Sequence, residues 1–148
     1  MKRFLRFLPF LLLAVAGSAT LCSCSDDDKD ELVATDTLPA QAKTFISQYY
    51  PSAKVVLAQK DKDEYEVTLS EGTRIDFDKA GEWTDVDAPA GKTVATGFYP
   101  EAIDTYVNTN FTGSGINEIS KEQKGYDVEL TNGIDLVFSY EGTFISFD

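Results

Sequence analysis

Laid over itself at a constant offset of 61, the stretch 38–87 aligns with 99–148 without a gap. Ten of the 50 aligned positions are identical: Pro39/Pro100, Thr44/Thr105, Lys60/Lys121, Tyr65/Tyr126, Val67/Val128, Leu69/Leu130, Gly72/Gly133, Phe77/Phe138, Gly81/Gly142 and Asp87/Asp148. Phe45/Tyr106, Ile46/Val107, Val55/Ile116, Ile75/Leu136, Trp83/Phe144 and Val86/Phe147 add like-for-like apolar pairs. The matched sites are strand-facing apolar residues and turn glycines, which are what a structural repeat preserves. A unit of this size buries too little surface to be secure alone. The pattern therefore predicts one module of two repeats, 38–87 and 99–148, that share a sheet edge or a core. Residues 88–98, with Pro89, Gly91 and Gly97, form the linker.

Each copy opens on a helix. Pro39 suits a first turn, where its missing N–H has no partner to lose. Ala42, Phe45, Ile46 and Tyr49 follow at helical spacing, and Pro51 ends the run. In the second copy Pro100 opens the helix, and Ile103, Tyr106, Val107 and Phe111 make the stripe. Strand signals fill the remainder. Lys54–Lys60 is a first strand. Tyr65, Val67 and Leu69 then alternate with polar residues, as do Ile75 and Phe77, and Trp83–Asp87 follows the Ala80-Gly81 turn. The expected fold class is α+β: two copies of one helix plus a four-stranded antiparallel sheet, the apolar sheet face covering the helix stripe.

The segments Tyr50-Pro51-Ser52-Ala53-Lys54-Val55-Val56, Tyr65-Glu66-Val67-Thr68-Leu69, Gly72-Thr73-Arg74-Ile75-Asp76-Phe77-Asp78 and Gly81-Glu82-Trp83 resemble the PepSY-like, or β-lactamase-inhibitor-like, family common in Bacteroidetes lipoproteins. The resemblance spans both repeats. The second departs from it at Asn110-Phe111-Thr112-Gly113 and at Val137, which replaces an acidic outward position. It implies a PepSY-like module over 37–148 with the β-lactamase-inhibitor-like fold. It brings no motif of functional residues and does not imply inhibition of any enzyme.

The N-terminus reads as an export signal over 1–23: Lys2, Arg3 and Arg6, an apolar run from Phe7 to Ala19, then small residues. That run is shorter than the ~20 residues that span a bilayer. Leu21-Cys22-Ser23-Cys24 resembles a bacterial lipobox, which makes Cys24 the lipidation site and the lipid anchor the chain's contact with a membrane. Acyl chains of the palmitate kind hold at about 0.8 kcal/mol per buried methylene, and more than one is needed for stable attachment. Residues 24–36 read as an acidic flexible tether. Its run Ser25-Asp26-Asp27-Asp28-Lys29-Asp30-Glu31 resembles the export tag of Bacteroidetes surface lipoproteins. That resemblance implies the outer membrane with the module on the cell surface, the periplasmic face being the alternative.

Charge and chemistry exclude more than they assign. Of 13 Lys and Arg, three lie in the signal, leaving 10 against 25 acidic residues, a net charge of −15. Such a surface repels nucleic acid. There is no His, and Cys24, the one cysteine left after the signal, is expected to be lipidated, so neither a Ser-His-Asp nor a Cys-His arrangement can be assembled. The carboxylate pairs Asp76/Asp78 and Asp85/Asp87 are expected to be solvated on outward strand faces, with nothing to raise a pKa. Asp61, Asp63 and Glu64 read as a solubilising turn. The reading is non-enzymatic, with no cofactor and no metal. Strict alternation places Trp83 and Phe144 on the sheet face opposite the helices, beside outward Val137, as a surface for a protein or peptide. A β-bulge would instead turn both rings into the core. An inhibitor or regulator of an envelope enzyme, such as a peptidase or β-lactamase, is the alternative function. Asp36-Thr37-Leu38 resembles an O-glycosylation motif, and Thr37 serves equally as a helix cap.

Overall fold

The computed structural model describes residues 31–148, so the export signal, Cys24 and the acidic run through Asp30 lie outside the described residues. Helix α1 (Ala40–Tyr49) turns Ala42, Phe45 and Ile46 inward, and α2 (Glu101–Asn110) does the same with Ile103 and Val107. Spacings of three and four put each set on one face. Pro39 and Pro100 are the cap residues rather than the first helical ones, and neither helix has a side-chain cap. Thr37 is not a helix cap: it lies in a 3₁₀ turn (Thr35–Thr37), where its hydroxyl donates to Ala34 O at 2.7 Å. Among the described residues no helix is long and apolar enough to cross a membrane.

The strands are β1 (Glu31–Leu32), β2 (Val55–Asp61), β3 (Glu64–Leu69), β4 (Arg74–Asp78), β5 (Trp83–Asp87), β6 (Ile116–Glu122), β7 (Gly125–Leu130), β8 (Asp135–Phe138) and β9 (Phe144–Phe147). They form a single antiparallel sheet in chain order. The expected four-stranded sheets meet edge to edge, one of the two joins the pattern predicts. β5 pairs directly with β6, with Asp85 opposite Ser120, Val86 opposite Ile119 and Asp87 opposite Glu118, so eight strands run on as one sheet. The ninth comes from the stretch expected to be tether: Glu31 and Leu32 pair with Lys60 and Gln59.

One row of facing residues crosses the sheet from β2 to β9: Ala58, Val67, Ile75, Val86, Ile119, Val128, Leu136 and Phe147. All but the last are buried. Both helices lie over this side, Phe45 meeting Phe77 edge-on at 5.7 Å and Tyr106 meeting Phe138 at 5.4 Å. Burying such large side chains contributes about 1.5–3 kcal/mol each before entropy is counted.

Irregularities recur at the same spacing as the helices. Bulges fall between Val55 and Leu57 and between Ile116 and Glu118; another pair falls at Asp76/Phe77 and at Val137/Phe138. Gly81, at φ +87°, turns β4 into β5 where a Cβ would stand 2.7 Å from Pro39 Cβ and 2.8 Å from Ala42 N. The missing side chain lets the turn seat against the start of α1. Gly142 does the same against Pro100 and Ala102.

The linker is packed and not loose. Ala88 N–H donates to Asn117 O and Val94 N–H to Ile116 O, each at 2.9 Å. Asn117 Nδ2 donates to the carbonyls of Ala88, Pro89 and Lys92. Phe98 wedges between α1 and the sheet, with its ring 5.1 Å from Phe45 and 4.9 Å from Trp83.

Candidate functional site

The helices leave one whole face of the sheet uncovered, and alternation decides what it carries. One row across it reads Gln59, Glu66, Asp76, Asp85, Ser120, Asp127, Val137, Ser146. The next reads Leu57, Thr68, Arg74, Asp87, Glu118, Glu129, Asp135. Eight carboxylates therefore face one another directly or diagonally, and Arg74 is the one cation of these two rows. Like charges at cross-strand positions are destabilising. Arg74 offsets part of this by ion-pairing with Asp87.

The crowding shows in the proton affinities. Burial, then Glu118, Asp76 and Asp87, pushes Asp85 up to about 8. Burial, then Glu66 and Glu64, pushes Asp76 up to about 6. Glu118 rises to about 7 through burial, Asp87 and Glu129. Asp127 and Glu129 are raised by burial and by neighbouring carboxylates. The expectation that Asp76 and Asp85 sit solvated with ordinary pKa values is thus corrected. Outward strand positions in the middle of a nine-stranded sheet are flanked by side chains on both neighbouring strands, and those neighbours are themselves acidic.

The exposed aromatic pair is corrected as well. Trp83 is 6 % exposed on the helix side. Phe98 meets its ring at 4.9 Å, Tyr126 stacks on it at 6.1 Å, and Lys121 Nζ stands 4.2 Å over it. Phe144, half-buried, stacks on Tyr106 of α2 at 4.6 Å. The bulge in each β4/β5-type pair is the cause: Phe77 faces Trp83 while Asp76 faces Asp85, so an extra residue enters between Trp83 and Val86 and both point inward. Val137 does face outward, between Asp127 and Ser146. The structure therefore separates Val137 from Trp83 and Phe144. The carboxylate face was missed, although each strand from β3 to β8 carries an acidic residue at an outward position. What the sequence lacks is the order of strands, which turns separate acidic positions into continuous rows.

Two concavities lie on the helix side. One of about 370 Å³ is lined by Thr93, Tyr99, Glu101, Asp104, Thr105 and Asn108 among others, with Tyr99 Oη donating to Asp104 at 2.8 Å. Another of about 320 Å³ lies between α1 and Trp83. Among the described residues no group of three His, Cys, Asp or Glu is placed to hold a metal ion.

Two overlapping stretches of the chain, 26–74 and 63–146, match the family model described as "Putative beta-lactamase-inhibitor-like, PepSY-like". A crystal structure from Bacteroides thetaiotaomicron, described as a "putative calcium-regulated periplasmic protein", is similar at 32% identity and a TM-score of 0.74, over 80% of this chain and 96% of that one. A crystal structure from Bacteroides vulgatus, described as a "putative periplasmic protein of unknown function", is similar at 29% identity and a TM-score of 0.75, over 81% and 99% of the two chains. A further Bacteroides vulgatus structure, also described as a "putative periplasmic protein", reaches 32% and 0.74, over 82% and 98%. No curated protein sequence matches the chain.

Proposed function

The chain belongs to the PepSY-like, β-lactamase-inhibitor-like family, and from that premise we propose that it is a non-catalytic binding module, tethered through a lipidated Cys24, whose helix-free sheet face holds a protein or peptide. The observation that carries this reading is the pair of carboxylate rows on an uncovered sheet face. A face of that charge selects a cationic partner and speeds its encounter. Burial is the first cause of the raised proton affinities of Asp85 and Glu118 and the neighbouring carboxylates the second; a basic partner offsets the second. Ser120 lies opposite Asp85, but the chain has no His to relay a proton between a hydroxyl and a carboxylate, which favours binding over catalysis.

We also read the sheet as a duplication of one helix-plus-four-strand unit, an account supported by the recurrence of helices, bulges and turn glycines at an offset of 61. The periplasmic description of the three Bacteroides relatives supports export to the envelope. The acidic run behind Cys24 supports the outward leaflet over the periplasmic side, and protease treatment of whole cells distinguishes the two. A Cys24→Ala chain that still incorporates a fatty-acid analogue would overturn the anchor.

Capture from native envelope extract tests the binding face. The wild-type chain should retain proteins that elute at about 0.5 M salt, where screening shortens to a few ångströms. A Glu118→Gln/Glu129→Gln/Asp135→Asn variant that stays folded should lose them. Equal capture by both forms would remove the face from the account. The second reading, an inhibitor or regulator of an envelope peptidase or β-lactamase, draws on the same acidic face as a match for a basic active-site rim. No inhibition across a panel of such enzymes at micromolar concentration would exclude it.

A further inference from the structure

We propose that the free edge of β9 takes an added antiparallel strand from another polypeptide, an extended segment with an apolar residue followed two positions later by lysine or arginine. The template lies inside the chain, where β5 pairs with β6. There Val86 faces Ile119 and is fully buried, while Lys121, two residues beyond Ile119, lies over the Trp83 ring.

β9 repeats β5 in its register, its bulge and the place of its first ring. It joins β8 in the register by which β5 joins β4, with the bulge at the matching place. Phe144 stands where Trp83 stands and packs on α2 as Trp83 packs against α1. Yet Phe147, the counterpart of buried Val86, is 60 % exposed, and Ile145 beside it 55 %. Among the described residues no strand pairs with the outer edge of β9.

The other end of the sheet shows that such an edge is covered when a strand is to hand. On β2, Leu32 faces Gln59 and Val33 N–H donates to Ala58 O. These are the places that Asp85 and Val86 take on β6 opposite Ser120 and Ile119. Residues 31–33 thus stand in for a β5, and nothing described stands in for a β6. Asp148 N–H donates to Asp135 O at 3.2 Å, so by alternation the N–H and C=O of Phe147 point away from β8. They are placed to receive a strand.

The template also selects the occupant. An apolar side chain opposite Phe147 restores the burial that Val86 has, and a cation two residues on reaches the face of the Phe144 ring. A cationic segment suits a chain with 25 acidic residues against 13 basic. A second copy suits it less: β2 carries the same pattern as Ala58-Gln59-Lys60, but residues 31–33 already occupy that edge.

The proposal rests on the binding-module reading for the existence of a polypeptide partner and adds where one of its strands sits. A fluorescent peptide with the sequence of residues 115–123 in which Glu118 and Glu122 are replaced by Gln, so that Lys121 is its one charged side chain, is titrated onto the full chain in detergent. Saturable binding is expected, weakened at least roughly tenfold by Lys121→Glu in the peptide or by Phe147→Pro in the protein. Phe147→Pro removes the outward N–H together with the ring contacts to Phe144 and Phe111, and leaves the backbone bonds to β8; Phe147→Leu, which loses the ring and keeps the N–H, is the control, and Phe147→Lys is the second variant should proline lower the melting temperature. No saturation up to about 1 mM, or equal affinity for the proline and lysine variants and wild type, overturns the proposal. A dimer in sedimentation equilibrium that Phe147→Pro abolishes would assign the edge to a second copy and overturn the occupant. Glu118→Gln/Glu129→Gln should bind the peptide unchanged, so failure of the open face and failure of this edge are told apart.

Discussion

Asp85 is the residue on which the electrostatics of the open face can be measured. Its carboxyl is raised to about 8 and that of Asp76 to about 6, so the folded chain keeps protons that the unfolded chain releases near its ordinary value of 3.8. Folding then takes up protons, and these groups make stability fall as pH rises from about 4 through about 8. Asp85→Asn removes the largest contribution: its melting temperature should exceed that of wild type by on the order of 5 °C at pH 8.5 and match it near pH 4. Parallel melting curves at all pH values would show that Asp85 titrates normally. Trp83 makes the opposite case. Packed against Phe45, Phe98 and Tyr126, it should cost about 3–5 kcal/mol when cut to alanine, read from denaturant unfolding. Its inward direction was not legible in the sequence, because one bulge residue reverses every inference from alternation and leaves no mark in composition.

At the scale of elements, the helices and inner strands were readable and their connections were not. Ala42, Phe45 and Ile46 announce α1 by spacing alone, and Val67, Leu69, Ile75 and Phe77 announce β3 and β4. Period-two and period-3.6 patterns are local, so the chain displays them directly. The pairing of β5 with β6 spans a linker and a helix, and the strand made by Glu31 and Leu32 is too short to show a period. Gly81 joins the two levels, since its turn must be tight and must also touch α1. Gly81→Ala should lose about 1–3 kcal/mol from backbone strain and more from the contact with Pro39 and Ala42. Gly91→Ala is the comparison, because Gly91 has a similar φ of +74° and no atom within 4 Å of its absent Cβ. Equal losses at the two glycines would show that the turn does not brace the helix.

For the whole molecule, one sheet with two unlike faces divides the work. The helix-covered face holds the core, with Phe77, Phe138, Ile75 and Leu136 fully buried, and stability is vested there. The bare face carries charge that folding does not need and that the fold tolerates at a cost, which is why function is assigned to it. Of that face the sequence disclosed Val137 and the acidic outward positions one strand at a time; the rows appear only once nine strands stand in order. Carboxyl footprinting tests the assignment most directly. The full chain, alone and with salt-eluted envelope proteins added back, is labelled with a carbodiimide and an amine, and each peptide is read by mass spectrometry. Protection of Asp87, Glu118 and Glu129 in the complex, with Glu82 and Glu101 on the helix side labelled as before, is the predicted result. Protection of Glu82 and Glu101 with the open face still fully labelled would contradict the account.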